Sequence, residues 1–362
     1  MNSSNELPNL FQFENGSTVV AKQDWPNRRQ EILQTILNIQ YGQLPPNSGK
    51  TKAELLHTTQ SHLLKAKYQH YRILPEPDQQ FGFTMSLLTP LGDGPFPVII
   101  DGDACWSIRS DEIISAILEK KYMFALFNRV EIVPDNGSSN RISGLHRLYP
   151  QGDYGSVAAW AWGYHRCLDF LLTLDTVAKD KIAAVGASRG GKAALLAGAT
   201  DERITLTAPN ESGCSGAGCY RHQGEGSETL KEMIEGAGHW LSPKMREFVG
   251  HVERLPFDQH FLKALVAPRA LLTTEALGDL YANPTGTWHT HEAAREVYRF
   301  LGVENKIGIN FREGLHDHTL TDWLTFLDFA EWQFRGIRPT RLYNDCPFPN
   351  LPKAFTWSMP SK

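Results

Sequence analysis

One segment, KIAAVGASRGGKAALLAG (181–198), constrains the fold more than any other. A short apolar run, KIAAVGA (181–187), passes into a helix-forming run, RGGKAALLAGA, through Gly186-Ala187-Ser188-Arg189-Gly190. A G-x-S-x-G placed between strand and helix makes a sharp turn that strains the serine backbone and lifts its hydroxyl to the C-terminal edge of a sheet. Small residues two positions to either side let the strand and the helix approach closely. The backbone N–H of residue 189 then sits at a new helix N-terminus, where it can stabilise an oxyanion. Ser188 is the candidate nucleophile.

The pattern around this turn fits it. Apolar runs of buried-strand type occur at PFPVIID (95–101), YMFALFN (122–128), ITLTAP (204–209), PRALLTTEA (268–276) and KIGINFRE (306–313). Helical periodicity falls at 110–120, 153–174, 289–301 and 320–334. Strands alternating with helices predict an α/β fold: a mostly parallel central sheet with helices on both faces, a three-layer sandwich. Upstream, residues 52–90 alternate as in an antiparallel strand group. Before them, Asp24 is placed to cap a helix with Pro26 in its first turn and Ile32, Ile36 and Ile39 on one face. No linker composition stands out, so the expectation is a single domain over 1–362, with an N-terminal extension (1–94) and an irregular Pro-rich tail (337–362). Loops at 129–152 and 212–226, including RHQGEG (221–226), are long enough to line a site.

Charge and composition exclude several classes. Thirty-six basic against 40 acidic side chains give a net charge of −4, with no footprint for nucleic acid. No apolar run is long enough for a membrane span. The N-terminal MNSSNELPNLFQFENGS has no basic segment followed by an apolar one, so no secretory signal is expected. Five cysteines without a C-x-x-C read as free thiols in a reducing cytoplasm, with a Cys214–Cys219 bridge as the alternative.

A serine nucleophile needs a base and an acid, and this fold supplies them in the chain order serine, acid, histidine. Leu315-His316-Asp317-His318 follows the last strand, so His316 or His318 can be the base. Two acids compete: Glu211, just past the strand after the serine helix, and Asp279, after the next strand. Either carboxylate could accept the imidazole N–H, fix its tautomer and stabilise the imidazolium. A metal pair at the two histidines would need further ligands in a recognised spacing, and none is nearby. The loop DGDACW (101–106) can lend a second oxyanion N–H from Gly102 or Asp103. Trp160 and Trp162 point to different faces of one helix and read as core; His289 and His291 read as helix-start residues.

Several of these motifs together resemble one family. GASRGGKAALLAGATDERI is similar to the G-C-S-R-x-G-K segment of glucuronoyl esterases, carbohydrate esterase family 15. PNESGCSGAGCYR resembles their P-x-E-S-G-x-G-G-x-x-C-x-R, and AWAWG (159–163), LPFDQHFLKALVAPR (255–269) and GLHDH (314–318) also fit. The resemblance covers roughly residues 90–335. It implies an α/β-hydrolase fold and a serine esterase with no metal or cofactor. It further implies Ser188 as nucleophile, His316 as base, Glu211 as acid, Arg189 as oxyanion support and Lys192 as a contact to sugar hydroxyls, with Tyr281 where a tryptophan often lies. Asp279 stands as the alternative acid. Lys192 falls one helical turn beyond Ser188 on the same face; without the resemblance it reads as a solvated helix lysine.

Two departures are visible. Ala187 stands where many members have a cysteine bonded to one near the catalytic histidine, and no cysteine follows His316 until Cys346. Cys219 matches a family cysteine whose partner region, TGTWHTHEAA, has none. The expected partner is a small-molecule or carbohydrate ester, best a uronic acid ester; an acetyl or small-acyl esterase and a non-catalytic binding protein are the alternatives.

Overall fold

The apolar runs lie side by side in one nine-stranded sheet. This computed structural model describes residues 5–46, 49–76, 81–105, 109–137 and 142–360. Trp106 of the DGDACW loop lies outside the described residues, as do 1–4, 47–48, 77–80, 107–108, 138–141 and 361–362. The strands are β1 (Lys52–Ser61), β2 (Ala66–Glu76), β3 (Phe81–Pro90), β4 (Phe96–Asp101), β5 (Met123–Phe127), β6 (Val177–Ala187), β7 (Leu206–Asn210), β8 (Ala270–Ala276) and β9 (Ile307–Arg312). Their spatial order is β1-β2-β3-β5-β4-β6-β7-β8-β9. The first three pair antiparallel, β3 joins β5 antiparallel, and every pair from β5 to β9 is parallel.

Helices cover both faces. They are α1 (Trp25–Ile36), α2 (Asp111–Glu119), α3 (Leu145–Leu148), α4 (Ser156–Leu171), α5 (Arg189–Thr200), α6 (Leu230–Ala237), α7 (Gln259–Ala264), α8 (Pro284–Leu301) and α9 (Leu320–Arg335). Alternation along β4 assigns the layers. Val98 and Ile100 belong to the same core as residues of α4, α5 and α8, whereas Ile99 belongs to the core of Ile113 and Ile117 of α2 and Trp323 and Phe326 of α9. Trp160 and Trp162 are fully buried, Trp160 donating to the Val133 carbonyl at 2.9 Å. This is the α/β-hydrolase arrangement. After β4 the chain runs to β5 on one side, and β6 lies on the other. Such a switch point opens a crevice beyond the C-terminal strand ends. Ser188 stands at the end of β6, in that crevice.

Several local expectations differ from the structure. β6 begins at Val177, four residues before the expected start. Val177 is buried and pairs with Phe96, while the polar Lys179-Asp180 that interrupts the apolar run is exposed. α8 begins at Pro284, so His289 and His291 are buried mid-helix residues and not helix-start residues. Its cap is Asn283 at φ 60°, whose side chain accepts the Gly286 N–H at 2.9 Å. Asp24 precedes α1 as expected, but its carboxylate turns back to the Val20 and Ala21 N–H groups. Cys214 and Cys219 form no bridge; all five thiols are free. The tail from residue 337 to 360 forms no helix or strand, and its Ala354 and Phe355 bury against Leu7, Cys219 and Ala293. Among the described residues no helix is long and apolar enough to cross a membrane.

Candidate active site

The β6–α5 turn holds Ser188 at φ 55°, ψ −124°, a conformation that non-glycine residues rarely adopt. The glycines on either side are sterically required. A Cβ on Gly186 would lie 2.4 Å from the Gly190 carbonyl oxygen, and one on Gly190 would lie 1.9 Å from Oδ1 of Asp103. The Ser188 N–H is tied to the Asn210 carbonyl at 2.9 Å, and the Ser188 carbonyl accepts the Lys192 N–H at 3.1 Å. The first-turn N–H groups of any α-helix lack acceptors further up the helix, and α5 starts at the crevice end of β6.

His316 lies in the loop after β9, half exposed. Its Nδ1 donates to Oδ2 of Asp279 at 2.5 Å and stands 3.3 Å from Oε2 of Glu211. The bond to Asp279 raises the imidazole pKa above its usual value, against burial. Both acids singled out from the sequence therefore converge on one ring nitrogen, and the shorter bond is to Asp279. Asp279 is buried, with Oδ1 accepting the Ala282 N–H at 3.3 Å. Glu211 is otherwise engaged. Its Oε1 receives a guanidinium N–H of Arg312 at 2.6 Å and its Oε2 the Asp317 N–H at 2.8 Å. Burial and the nearby Glu275 push its pKa up to about 8, against the pull of Asp317 and Arg312. The ligand-type atoms of Glu211, Asp279 and His316 lie within 4.8 Å of one another, a grouping accounted for by these bonds to the imidazole. His318 lines the same crevice but is not bonded to either acid. It stacks on Trp323 at 4.8 Å, and burial pushes its pKa well below the usual value.

Two cavities meet at Ser188, Arg189, Glu211 and His316. One, of about 300 Å³, continues past Ala187, Asn210 and His318 to Asp103, Arg109 and Arg129. The other, of about 360 Å³, continues past Lys192, Ser212 and Asp279 to Glu228, Trp240 and Tyr281. The loop 212–226 contributes Ser212 and Gly213; RHQGEG, expected at the cleft, lines neither cavity, and its Arg221 is buried on Asp258 at 3.2 Å.

Cations hold this second cavity in shape. The Arg189 guanidinium lies 4.9 Å from the centre of the Trp240 ring and donates to Oδ2 of Asp135 at 2.6 Å. Oδ1 of Asp135 accepts Trp240 Nε1 at 2.7 Å and approaches His239 Nε2 at 3.1 Å. Although burial opposes it, these bonds keep the Asp135 carboxyl ionised, well below its ordinary pKa. Sequence reasoning missed Asp135: it sits in the 129–152 loop, where no periodicity marks it. Lys192 is not a solvated helix lysine. It is buried, and its Nζ donates to the Ser212 and Cys214 carbonyls at 2.5 Å each. Burial lowers its pKa. An ammonium has three donors, so one remains for the cavity. Tyr281, 57% exposed, donates to Oε1 of Glu228 at 2.9 Å.

Gly102 and Asp103, the two expected donors after β4, do not lend a second oxyanion N–H. The Gly102 N–H is bound by the Tyr164 hydroxyl at 3.0 Å and the Asp103 N–H by Oδ1 of Asp101 at 2.9 Å.

A strained serine, a histidine held by a carboxylate and an adjoining polar cavity are the parts of a serine hydrolase. Residues 75–302 match the family profile described as "Glucuronyl esterase, fungi". The chain belongs to the glucuronoyl esterase family. It is 32% identical over 318 residues to the 4-O-methyl-glucuronoyl methylesterase of Podospora anserina, an alignment covering 84% of this chain and 62% of that enzyme's length. Its fold matches a carbohydrate esterase family 15 glucuronoyl esterase from Caldicellulosiruptor kristjansonii with a TM-score of 0.85 and 32% identity, covering 98% of this chain and 97% of that one. A glucuronoyl esterase mutant from Sporotrichum thermophile, solved with methyl 4-O-methyl-β-D-glucopyranuronate, matches with a TM-score of 0.78 and 28% identity over 93% of this chain and 90% of that one. In this chain Ser188, His316, Glu211 and Asp279 line one site, and residue 187 is alanine.

Proposed function

We propose that this glucuronoyl esterase homologue is a serine carboxylic ester hydrolase that cleaves glucuronoyl esters through an acyl-enzyme. The observation that carries this reading is His316, bonded to Asp279 and lining both cavities together with the strained Ser188. His316 Nε2 takes the Ser188 proton as Oγ attacks the ester carbonyl. The Arg189 N–H and its guanidinium, held by Asp135, receive the negative charge on the tetrahedral oxygen. His316 then protonates the departing alcohol oxygen, leaving the uronoyl group on Ser188. A water, deprotonated by His316, attacks that ester; the bond from Ser188 Oγ to the acyl carbon breaks, Oγ takes the proton back from His316, and the free uronic acid leaves. Asp279 is the principal acid, and Glu211 is a second carboxylate within reach of the same nitrogen.

The uronoyl ring fits the 360 Å³ cavity. Lys192 offers its remaining N–H to a ring hydroxyl, and the Glu228 carboxylate, shared with Tyr281, accepts from another. The free thiols and the missing cysteine at 187 support a reducing location.

Hydrolysis of methyl glucuronate should exceed that of p-nitrophenyl acetate in kcat/KM. Activity on the acetate alone would refute the uronate assignment and leave a small-acyl esterase. Lys192→Met is expected to raise KM for methyl glucuronate by between about 10- and 100-fold, the worth of one charged hydrogen bond. It should leave p-nitrophenyl acetate hydrolysis unchanged; equal effects on both esters would remove Lys192 from the sugar site.

A further inference from the structure

The strain at Ser188 persists only if its surroundings over-determine it. On one side they do so through backbone. β6 pairs with β7 as far as Ala187 and Asn210, and the Ser188 N–H is bound by the Asn210 carbonyl. On the other side the ladder with β4 ends two residues earlier, at Asp101 and Val185, because the chain leaves the sheet at Gly102. The Ala187 N–H beyond that point is taken by a side chain: Oδ2 of Asp103 accepts it at 2.8 Å.

Asp103 is itself fixed. It is 4% exposed, its Oδ1 is paired with Arg129, and its Oδ2 receives Arg109 at 3.4 Å. Arg109 is anchored in turn by two bonds to Asp101, at 2.7 and 2.9 Å. The carboxylate also presses against the first turn of α5, where only the absence of a Cβ on Gly190 leaves it room. It thus touches the elbow both before and after Ser188. The Gly102 and Asp103 N–H groups are turned inward to Tyr164 and Asp101. These two residues therefore supply an acceptor to the nucleophile's turn and no backbone donor to the oxyanion.

We propose that Asp103 is a positioning residue for Ser188, its carboxylate standing in for the strand partner that β4 does not provide. This rests on Ser188 being the nucleophile. The test measures the rate at which a fluorophosphonate labels Ser188, and kcat and KM on methyl glucuronate, at a temperature well below thermal unfolding of each variant. Asp103→Ala is expected to lower both the labelling rate and kcat about 100-fold, the cost of a misplacement of about 1 Å, with KM unchanged. Asp103→Asn keeps an oxygen for the Ala187 N–H and should recover about tenfold of that loss, the worth of one hydrogen bond. A folded Asp103→Ala that labels and turns over like the wild type, or loses only KM, overturns the proposal, whatever its unfolding temperature. Gly190→Ala gives a second test if Asp103→Ala does not fold, since its methyl would displace Oδ1 of Asp103; wild-type labelling in that variant is equally fatal. A wild-type protein that is not labelled at all sinks the serine esterase reading, and this proposal with it. A labelled wild type beside a fully reactive Asp103→Ala sinks only the proposal.

Discussion

Ser188→Ala is expected to lower kcat on methyl glucuronate by about 10⁶-fold, to abolish fluorophosphonate labelling, and to leave substrate affinity in place. The size follows from the covalent route. Without Oγ there is no acyl-enzyme, and what remains is the electrostatic support of Arg189 and its N–H for direct attack by water. The effect on folding should be small or favourable. Ser188 sits at φ 55° for functional reasons, and its hydroxyl accepts no bond from the α5 backbone as a helix cap would. Binding of methyl glucuronate to Ser188→Ala, measured by calorimetry, should match the wild-type KM wherever KM reports binding. A variant that retained more than a few per cent of wild-type kcat would place the nucleophile elsewhere.

That serine was legible because the constraint on it is local. Gly186 is needed by a contact within the turn, with the Gly190 carbonyl, so the strand–G-x-S-x-G–helix pattern carries part of its own steric reason, although Gly190 is required by Asp103 from another loop. The central strands were legible for a similar reason: β4 and β5 are buried on both faces and read as unbroken apolar runs. The failures are non-local. The start of α8 depends on Asn283 entering the left-handed region, which a helical period beginning further along does not reveal. Asp135 acquires its task from Arg189, Trp240 and His239, which reach it from other parts of the chain. Gly102 and Asp103 were candidates for an oxyanion donor by analogy of position alone; whether the Gly102 N–H is free depends on Tyr164, about sixty residues along the chain, and the Asp103 N–H is taken by Asp101. The choice between Glu211 and Asp279 is of the same kind. Each follows a strand, and only the paths of the loops decide how near each comes to His316.

For that choice the expected result is a kcat loss on the order of 10²–10⁴-fold for Asp279→Asn, at least ten times the loss for Glu211→Gln. Asp279 makes the 2.5 Å bond to Nδ1, whereas Glu211 lies at 3.3 Å and is occupied by Arg312 and the Asp317 N–H. Burial and Glu275 also raise the Glu211 pKa, which weakens its pull on an imidazolium relative to Asp279. The pH profile provides an independent reading. His316 must be neutral to accept the Ser188 proton, so kcat/KM rises as pH climbs through its pKa. Asp279 raises that pKa by favouring the protonated ring, so Asp279→Asn should move the acid limb to lower pH while lowering the plateau. Residual activity in Asp279→Asn should depend on Glu211, whose carboxylate ionises more readily once the Asp279 charge is gone, and fall further in the double variant. An acid limb that stays in place in Asp279→Asn but shifts in Glu211→Gln would reverse the assignment. The carboxylate held by Arg312 would then be the acid, and the short bond to Asp279 would belong to the resting enzyme.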